Sequence, residues 1–306
     1  MIYIFLIGYM LIAFEHQIKF FETGNAERRG ILAANRIGKT VSTCAETAMH
    51  LTGQYPEWWT GFRFDKPITC MVAGEGWSQV ALVLQNELLG TQDVKLVENI
   101  GTGAIPRDCI VIDTMRNDGA NCIGVEIKHA KGGNSYLLFA NYTQEVRNLQ
   151  GFKLDFVVFD EQPPDDVFSE LVTRTATTQG QVLCSFTPLK GLNGLVSKFW
   201  HREDGYEHIR VSWDDVPEYD PWGEPFLLKE TRRQLERDYL PHERDARKHG
   251  DRGDDQHEQD VCGDARPVAH GAREQAPGRR LALVRGHRQP QARAQGPERV
   301  ERLAHA

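Results

Sequence analysis

The chain has 306 residues, of which 40% are apolar and 26% are charged, and its net charge at neutral pH is −7. These values are typical of a globular protein with one large or two small domains, and they exclude a disulfide-stapled miniprotein. The acidic balance excludes a protein that coats nucleic acid through bulk charge, so any DNA contact must be local. The six cysteines form no CxxC pair and show no zinc-ligand spacing, which predicts isolated reduced thiols.

The two ends of the chain differ from its middle. Residues 1–14 form an uncharged apolar run, too short for a membrane span of about 20 residues and without the basic region of a signal peptide. We expect a buried strand or helix there, or a non-native start. Residues 251–306 contain ten arginines and no aromatic residue, which predicts an irregular or disordered tail without a core. The folded domain is therefore expected at residues 15–250.

Within this domain the pattern of apolar residues and glycines predicts strands that alternate with helices. Strands are predicted at 30–34, 67–73, 109–113, 123–129, 136–142, 154–159, 181–186 and 208–213. Helices are predicted at 16–21, 39–51, 77–89, 144–149, 165–175 and 224–237. This order favours an α/β fold with a mainly parallel sheet that is covered by helices.

The segment AANRIGKT, residues 33–40, lies between the first predicted strand and its helix. It fits the phosphate-loop pattern GxxxxGK[ST] except at the first position, where Ala33 replaces glycine. In such a loop the backbone N–H groups bind phosphate oxygens, the lysine neutralises phosphate charge and the hydroxyl ligates Mg²⁺. A Gly-Lys-Thr sequence alone also fits an ordinary helix N-terminus.

A second motif follows the predicted strand at 154–159. Asp160 and Glu161 stand at its carboxyl end, where ligands of open α/β sheets bind. Asp160 is suited to hold Mg²⁺ through water, and Glu161 to orient and deprotonate an attacking water. A solvated acidic pair at a strand end is the simpler alternative. Together with the phosphate loop, the pair predicts nucleotide hydrolysis.

A third motif ends the next strand. Ser185 and Thr187 can reach a γ-phosphate or its water there, and Pro188 stops the strand. A strand that simply ends in a Thr-Pro turn is the alternative.

These motifs, in the order AANRIGKT, then Gln-Gly before LDFVVFDEQPP, then SFTPLKGLNG, resemble the ATPase domain of the large terminase subunit of tailed bacteriophages. The resemblance covers about residues 15–250. It implies an ASCE-type, RecA-like P-loop NTPase that uses ATP and Mg²⁺ to drive double-stranded viral DNA into a procapsid. The family's partners would be a portal protein and a small terminase subunit, with the motor working as a ring in the host cytoplasm without membrane contact.

The resemblance also implies roles for single residues. Gln17 would contact adenine, Lys39 and Thr40 would bind phosphate and Mg²⁺, and Arg36 would stabilise transition-state charge. The other implied roles are ATP binding by Ala34, Asn35, Arg36, Ile37 and Gly38, Mg²⁺ binding by Asp160, water activation by Glu161, and coupling of hydrolysis to domain movement by Ser185 and Thr187.

One departure from the family concerns its nuclease. Members normally continue into an RNase H-like nuclease domain, whereas residues 251–306 offer no strands for a metal-binding acidic cluster. The tail reads as a reading-frame shift in place of that domain, and residues 1–14 raise the same question. Endonuclease activity is therefore not expected from this chain.

Two other functions stay open at this stage. One is a helicase-like DNA translocase, against which the lack of a second RecA-like domain counts. The other is a non-catalytic remnant that docks on a portal. DNA-stimulated phosphate release would separate the remnant from the motor, and an unwinding assay would separate the helicase.

Overall fold

A computed structural model describes residues 4–6, 9–11, 14–90, 99–119, 121–143, 151–189, 193–220 and 223–250. The helix predicted at 144–149 and the tail at 251–306 lie outside these residues. In the apolar lead segment, β1 (Ile4–Leu6) pairs with β2 (Tyr9–Leu11) as an antiparallel hairpin. No helix in the described part of the chain is long and apolar enough to cross a membrane.

One large sheet organises the domain. Its strands are β3 (Arg28–Ala33), β4 (Thr69–Gly74), β5 (Ile110–Asp118), β6 (Asn121–Lys128), β7 (Asn134–Asn141), β8 (Phe156–Asp160), β9 (Gln181–Phe186) and β10 (Tyr206–Val211). Their spatial order is β10-β3-β9-β8-β4-β7-β6-β5. The strands from β10 to β7 are parallel, while β6 and β5 add an antiparallel edge. The mainly parallel sheet predicted from the sequence is confirmed.

Helices cover both faces of this sheet. They are α1 (Glu15–Glu22), α2 (Lys39–Thr52), α3 (Trp77–Gln79), α4 (Asn86–Leu89), α5 (Asp165–Thr175), α6 (Gly194–Trp200), α7 (Lys229–Asp238) and α8 (Pro241–His249). A π-helical segment, Val80–Gln85, joins α3 to α4, so the helix predicted at 77–89 is continuous but wider in its middle. Apolar residues of α1, α2 and α4 pack on one face, and those of α5 and α6 pack on the other.

Several predicted boundaries differ from the structure, among them the start of β3, which lies at Arg28 rather than at residue 30. The last strand runs two residues earlier than predicted, because Ser212 caps a short 3₁₀ helix, Trp213–Asp215, with its hydroxyl. The helix predicted from residue 224 begins only at Lys229, since Pro225 pairs with Tyr219 in an isolated bridge. Helices α6 and α8 were not predicted.

A buried charge cluster joins the first strand of this sheet to the helix that follows it. The Arg29 guanidinium of β3 donates to the Glu46 carboxylate of α2, and both side chains are at most 1% exposed. His50 Nε2 lies 3.1 Å from the same Glu46 oxygen. Burial lowers the pKa of Arg29 to about 9 and holds that of His50 well below its usual value. The cluster therefore contains one buried cation and one buried anion, each dependent on the other.

Replacing Glu46 with alanine should be strongly destabilising. The substitution leaves the Arg29 charge buried without its carboxylate, a situation that costs about 3–5 kcal/mol. Glu15→Ala is the matched control, because Glu15 pairs with Lys19 on the surface with 81% of its side chain exposed. Urea unfolding should show the loss for Glu46→Ala and no resolvable change for Glu15→Ala. Equal effects would contradict the importance of the buried pair.

Candidate active site

The predicted phosphate loop connects β3 to α2 and carries a buried lysine. The Lys39 ammonium lies 3.0 Å from the Ala34 carbonyl oxygen, 3.3 Å from that of Ala33 and 2.8 Å from Thr187 Oγ1. Burial lowers the pKa of Lys39, while the charges of Glu161 and Asp160 oppose this effect. The ammonium is thus held at the base of the loop by oxygen atoms from two adjacent strands.

Thr40 brings the loop into contact with the acidic motif. Its hydroxyl donates to Asp160 Oδ1 at 3.0 Å, although the two residues are 120 positions apart in the chain. Burial, and then the neighbouring Glu161, raise the pKa of Asp160 to about 7, while the hydrogen bond from Thr40 and the charge of Lys39 act in the opposite direction. The predicted Mg²⁺ ligands therefore lie side by side.

Glu161 is fixed by the ends of two neighbouring strands. Its backbone N–H donates to the Ser185 carbonyl at 2.7 Å, and its Oε2 lies 3.5 Å from the Thr187 backbone nitrogen. The Tyr142 hydroxyl is within 3.1 Å of the carbonyl oxygens of Ala73, Asp160 and Glu161, so it can donate to each in turn. The turn after β8 is consequently tied to three strands.

Backbone strain is concentrated at this site. Four non-glycine residues of the described part have positive φ, and two of them are Arg36 and Glu161, each at 63°. A positive φ is unfavourable for residues other than glycine. It persists where the surrounding structure imposes it, often at functional sites. The Arg36 side chain is exposed, and within the described ranges no hydrogen bond or ion pair involves it. Its guanidinium is therefore available to a ligand or to another chain.

Helix α1 supports the loop from behind. His16 Nε2 donates to the Ile37 carbonyl at 2.9 Å, and Gln17 Nε2 lies 2.9 Å from Ser42 Oγ and 3.3 Å from the Gly38 carbonyl. The other end of the Gln17 amide accepts from the Phe14 N–H at 3.0 Å. Gln17 is thus buried beside the loop with both ends of its amide engaged, and an adenine contact would have to replace one of these bonds.

The C-terminal part of the domain also reaches the loop. The Asn35 N–H donates to the Arg247 carbonyl at 3.0 Å, and Trp213 Nε1 donates to the Asn35 carbonyl at 3.0 Å. Asn35 Oδ1 is 2.8 Å from Thr187 Oγ1, which links it to the lysine. Sequence reasoning assigned no role to Trp213 or Arg247, because only the fold brings these distant residues to Asn35.

Two further residues of the site were not predicted. Gln79, in the first turn of α3, donates from Nε2 to Asp160 Oδ2 at 2.8 Å. Tyr142 follows β7 directly and reaches the same turn. Both are polar residues just beyond buried parallel strands, and that position at the carboxyl edge of the sheet is the signal that could have identified them.

The chemistry of these side chains suits a nucleotide with Mg²⁺. Mg²⁺ prefers oxygen ligands and usually keeps waters and substrate phosphates in its shell. Thr40 and Asp160 offer such oxygens beside an anion-binding helix terminus. Among the described residues no group of three or more His, Cys, Asp or Glu side chains could hold a metal ion by itself. The donor set therefore fits a metal that is shared with phosphate oxygens.

Comparisons with known proteins agree with this geometry. Residues 31–259 match the family model described as "Terminase large subunit, T4likevirus-type, N-terminal". The chain belongs to the terminase large subunit family. Over 262 residues it is 28% identical to the terminase large subunit of Salmonella phage P22, and this alignment covers 79% of the chain. A solved large terminase from a thermophilic bacteriophage, in complex with ADP, has the same fold, with a TM-score of 0.50, 13% identity and 74% of this chain covered.

The chain matches only part of each of these two relatives. The chain spans about half the length of both, 50% of the Salmonella phage protein and 50% of the solved thermophilic phage chain. The residues matched by the family model include 33–40, Asp160, Glu161, Ser185 and Thr187. The fold class predicted from the sequence, a P-loop NTPase of the terminase type, is confirmed.

Substitution of Gly38 tests whether α1 fixes the loop. Gly38 has a φ of 85°, and a Cβ there would lie 2.9 Å from Gln17 Nε2. Gly38→Ala should cost about 1–2 kcal/mol for the left-handed backbone and a further ~1 kcal/mol or more for crowding. Gly119→Ala is the control, since its φ is 61° but nothing lies within 4 Å of the added Cβ. Chemical denaturation should show the larger loss for Gly38→Ala, and adding Gln17→Ala should reduce the difference. An equal loss at both glycines would contradict the support by α1.

Proposed function

We propose that this chain hydrolyses ATP at the site formed by the phosphate loop and the turn after β8. The observation that carries the proposal is the contact of 3.0 Å between Thr40 Oγ1 and Asp160 Oδ1. It joins a phosphate-binding sequence to an acidic strand end, and nothing in an ordinary helix N-terminus requires that contact. The buried Lys39 ammonium beside both acids supports the same function.

The binding step uses the loop. Backbone N–H groups of residues 36–40, at the start of α2, would face the phosphates, and Lys39 would neutralise their charge. Thr40 and Asp160 would hold Mg²⁺, which when bound would stabilise negative charge on the phosphate oxygens. Gln17 is our candidate for the adenine contact, made through exchange of one of its present hydrogen bonds.

The hydrolytic step uses Glu161 and Arg36. Glu161 stands at the strand end next to Asp160 and accepts the proton of the attacking water as it moves toward the γ-phosphorus. The exposed guanidinium of Arg36 can stabilise charge that develops on the phosphoryl oxygens, in this site or in that of a neighbouring subunit. The left-handed backbone of both residues is consistent with positions that serve the reaction rather than stability.

Ser185 and Thr187 carry our proposal for coupling. Thr187 Oγ1 lies 2.8 Å from Lys39 Nζ, from the Ala33 carbonyl and from Asn35 Oδ1, while its backbone N–H faces Glu161. A change in the phosphate that Lys39 binds therefore alters the partners of Thr187 directly. Movement of the segment after β9 would transmit the change to the rest of the motor.

The motor itself acts on double-stranded viral DNA. We propose that it drives the DNA into a procapsid in the host cytoplasm, as a homo-oligomeric ring on a portal protein together with a small terminase subunit. Family membership over 31–259 supports this assignment. Endonuclease activity was not expected from the sequence of this chain. Such an activity would require metal-binding acids outside the site described here.

Glu161→Gln tests the hydrolytic step. The amide keeps the shape of the side chain but cannot accept a proton, so ATP affinity should stay within about threefold while phosphate release falls about 100-fold or more. Glu57→Gln is the control, because Glu57 is exposed and distant from the loop in sequence. Phosphate release should be measured with and without double-stranded DNA. Unchanged turnover in Glu161→Gln would contradict the proposal.

The wild-type chain decides between the open functions. DNA-stimulated phosphate release without strand separation on forked DNA supports a packaging motor. Unwinding would indicate a helicase-like translocase, and portal binding without turnover would indicate a non-catalytic terminase.

The raised pKa of Asp160 predicts a pH dependence of nucleotide affinity. Mg²⁺ requires the ionised carboxylate, and with a pKa of about 7 this form is lost as the pH falls. In the presence of Mg²⁺ the affinity for ADP should therefore fall below pH 7, by about tenfold per pH unit for one proton. Calorimetry in Mg²⁺ and in EDTA checks this, because the metal-free affinity should lack that step. An identical pH profile in both buffers would contradict it.

A further inference from the structure

The Gln79 side chain connects helix α3 to the Asp160 carboxylate. Its Nε2 lies 2.8 Å from Asp160 Oδ2, and Thr40 occupies the other carboxylate oxygen, Oδ1. Both oxygens of Asp160 thus have a donor, one from the phosphate-loop helix and one from α3. The carboxylate cannot rotate without breaking one of these bonds.

The orientation of the Gln79 amide is fixed by the backbone. Its Oε1 accepts from the Glu75 N–H at 2.7 Å, and a backbone N–H can only donate. The NH₂ group must therefore be the end that faces Asp160. Gly74 leaves space for this arrangement, since a Cβ at that position would lie 2.6 Å from Gln79 Oε1.

We propose that Gln79 is a positioning residue for ATP hydrolysis, which orients the Asp160 carboxylate so that Oδ1 stays directed at Thr40 and the metal-binding position. The proposal rests on the proposed function of the site. Gln79 touches neither substrate nor water in this role, and it acts through Asp160 alone.

Helix capping alone does not explain Gln79. A residue in the first turn of a helix often accepts a hydrogen bond from the preceding backbone, and glutamate does this at least as well as glutamine because it also favours the helix dipole. The amide NH₂ has no part in capping. The NH₂ group instead donates to Asp160, which an ionised glutamate at this position could not do.

The location of Gln79 also connects the site to the rest of the domain. The π-helical segment Val80–Gln85 begins at the next residue, and such segments frequently occur at functional sites. Gln85, at its end, donates to the Cys122 carbonyl of β6 at 2.6 Å. A shift of α3 would therefore move the Gln79 NH₂ group, which donates to Asp160, relative to the antiparallel strands β5 and β6.

Gln79→Glu separates positioning from capping. The variant keeps the acceptor for the Glu75 N–H but places a second carboxylate 2.8 Å from Asp160, so the orienting bond is lost. In the full chain we expect kcat at saturating ATP and Mg²⁺ to fall about tenfold or more, the effect of one hydrogen bond to a charged group. The added negative charge of Gln79→Glu also disfavours ionised Asp160, so the KM for ATP is compared in Gln79→Met, where it should stay within about threefold because the loop is untouched. Gln79→Met, which keeps the length and adds no charge, should lose kcat in the same way.

Ser78→Ala is the matched control, because Ser78 is an exposed neighbour on the same turn. A kcat for Gln79→Glu within about twofold of the Ser78→Ala value would overturn the proposal. Parallel losses of kcat, KM and melting temperature in both Gln79 variants would also overturn it, because they would show a structural role. If the wild-type chain binds no nucleotide, ATP hydrolysis itself is contradicted, and the positioning role of Gln79 falls with it. That failure is visible before any variant is measured.

Discussion

The buried ammonium of Lys39 is the constraint on which this domain depends. An ammonium group inside a protein needs several oxygen partners to offset its lost hydration. They are supplied by Ala33 and Ala34 at the end of β3 and by Thr187 just after β9, two adjacent parallel strands. The acids of the neighbouring β8 add charge compensation. The conformation of the loop and the electrostatics of the site are therefore linked through this one group.

Much of this arrangement could be predicted from the sequence, because parallel strands end at one edge of a sheet and the polar residues after them must meet there. Asp160 and Thr187 were found in this way, and Lys39 was found from the pattern of the phosphate loop. The start of β3 was not predicted, because the sequence of Arg28 and Arg29 resembles a loop. A buried arginine is acceptable there only because Glu46, from the following helix, is its partner.

The missed contacts share one physical origin. Gln79, Trp213 and Arg247 have ordinary local sequences, and each gains its role only from a tertiary contact with a residue far away in the chain. Local propensity describes which residues form a helix, and it carries no information about which side-chain atom faces a distant carboxylate. The same limit applies to α6 and α8, which are short and are defined by what they pack against.

The return of the chain at Gly250 has a mechanical consequence. Helix α8 ends there in a left-handed residue that packs directly on Ala33, where a Cβ would come within 2.6 Å of the Ala33 Cα. Asn35 is bonded to the same helix through the Arg247 carbonyl. Tension on the polypeptide beyond Gly250 would therefore act first on the base of the phosphate loop.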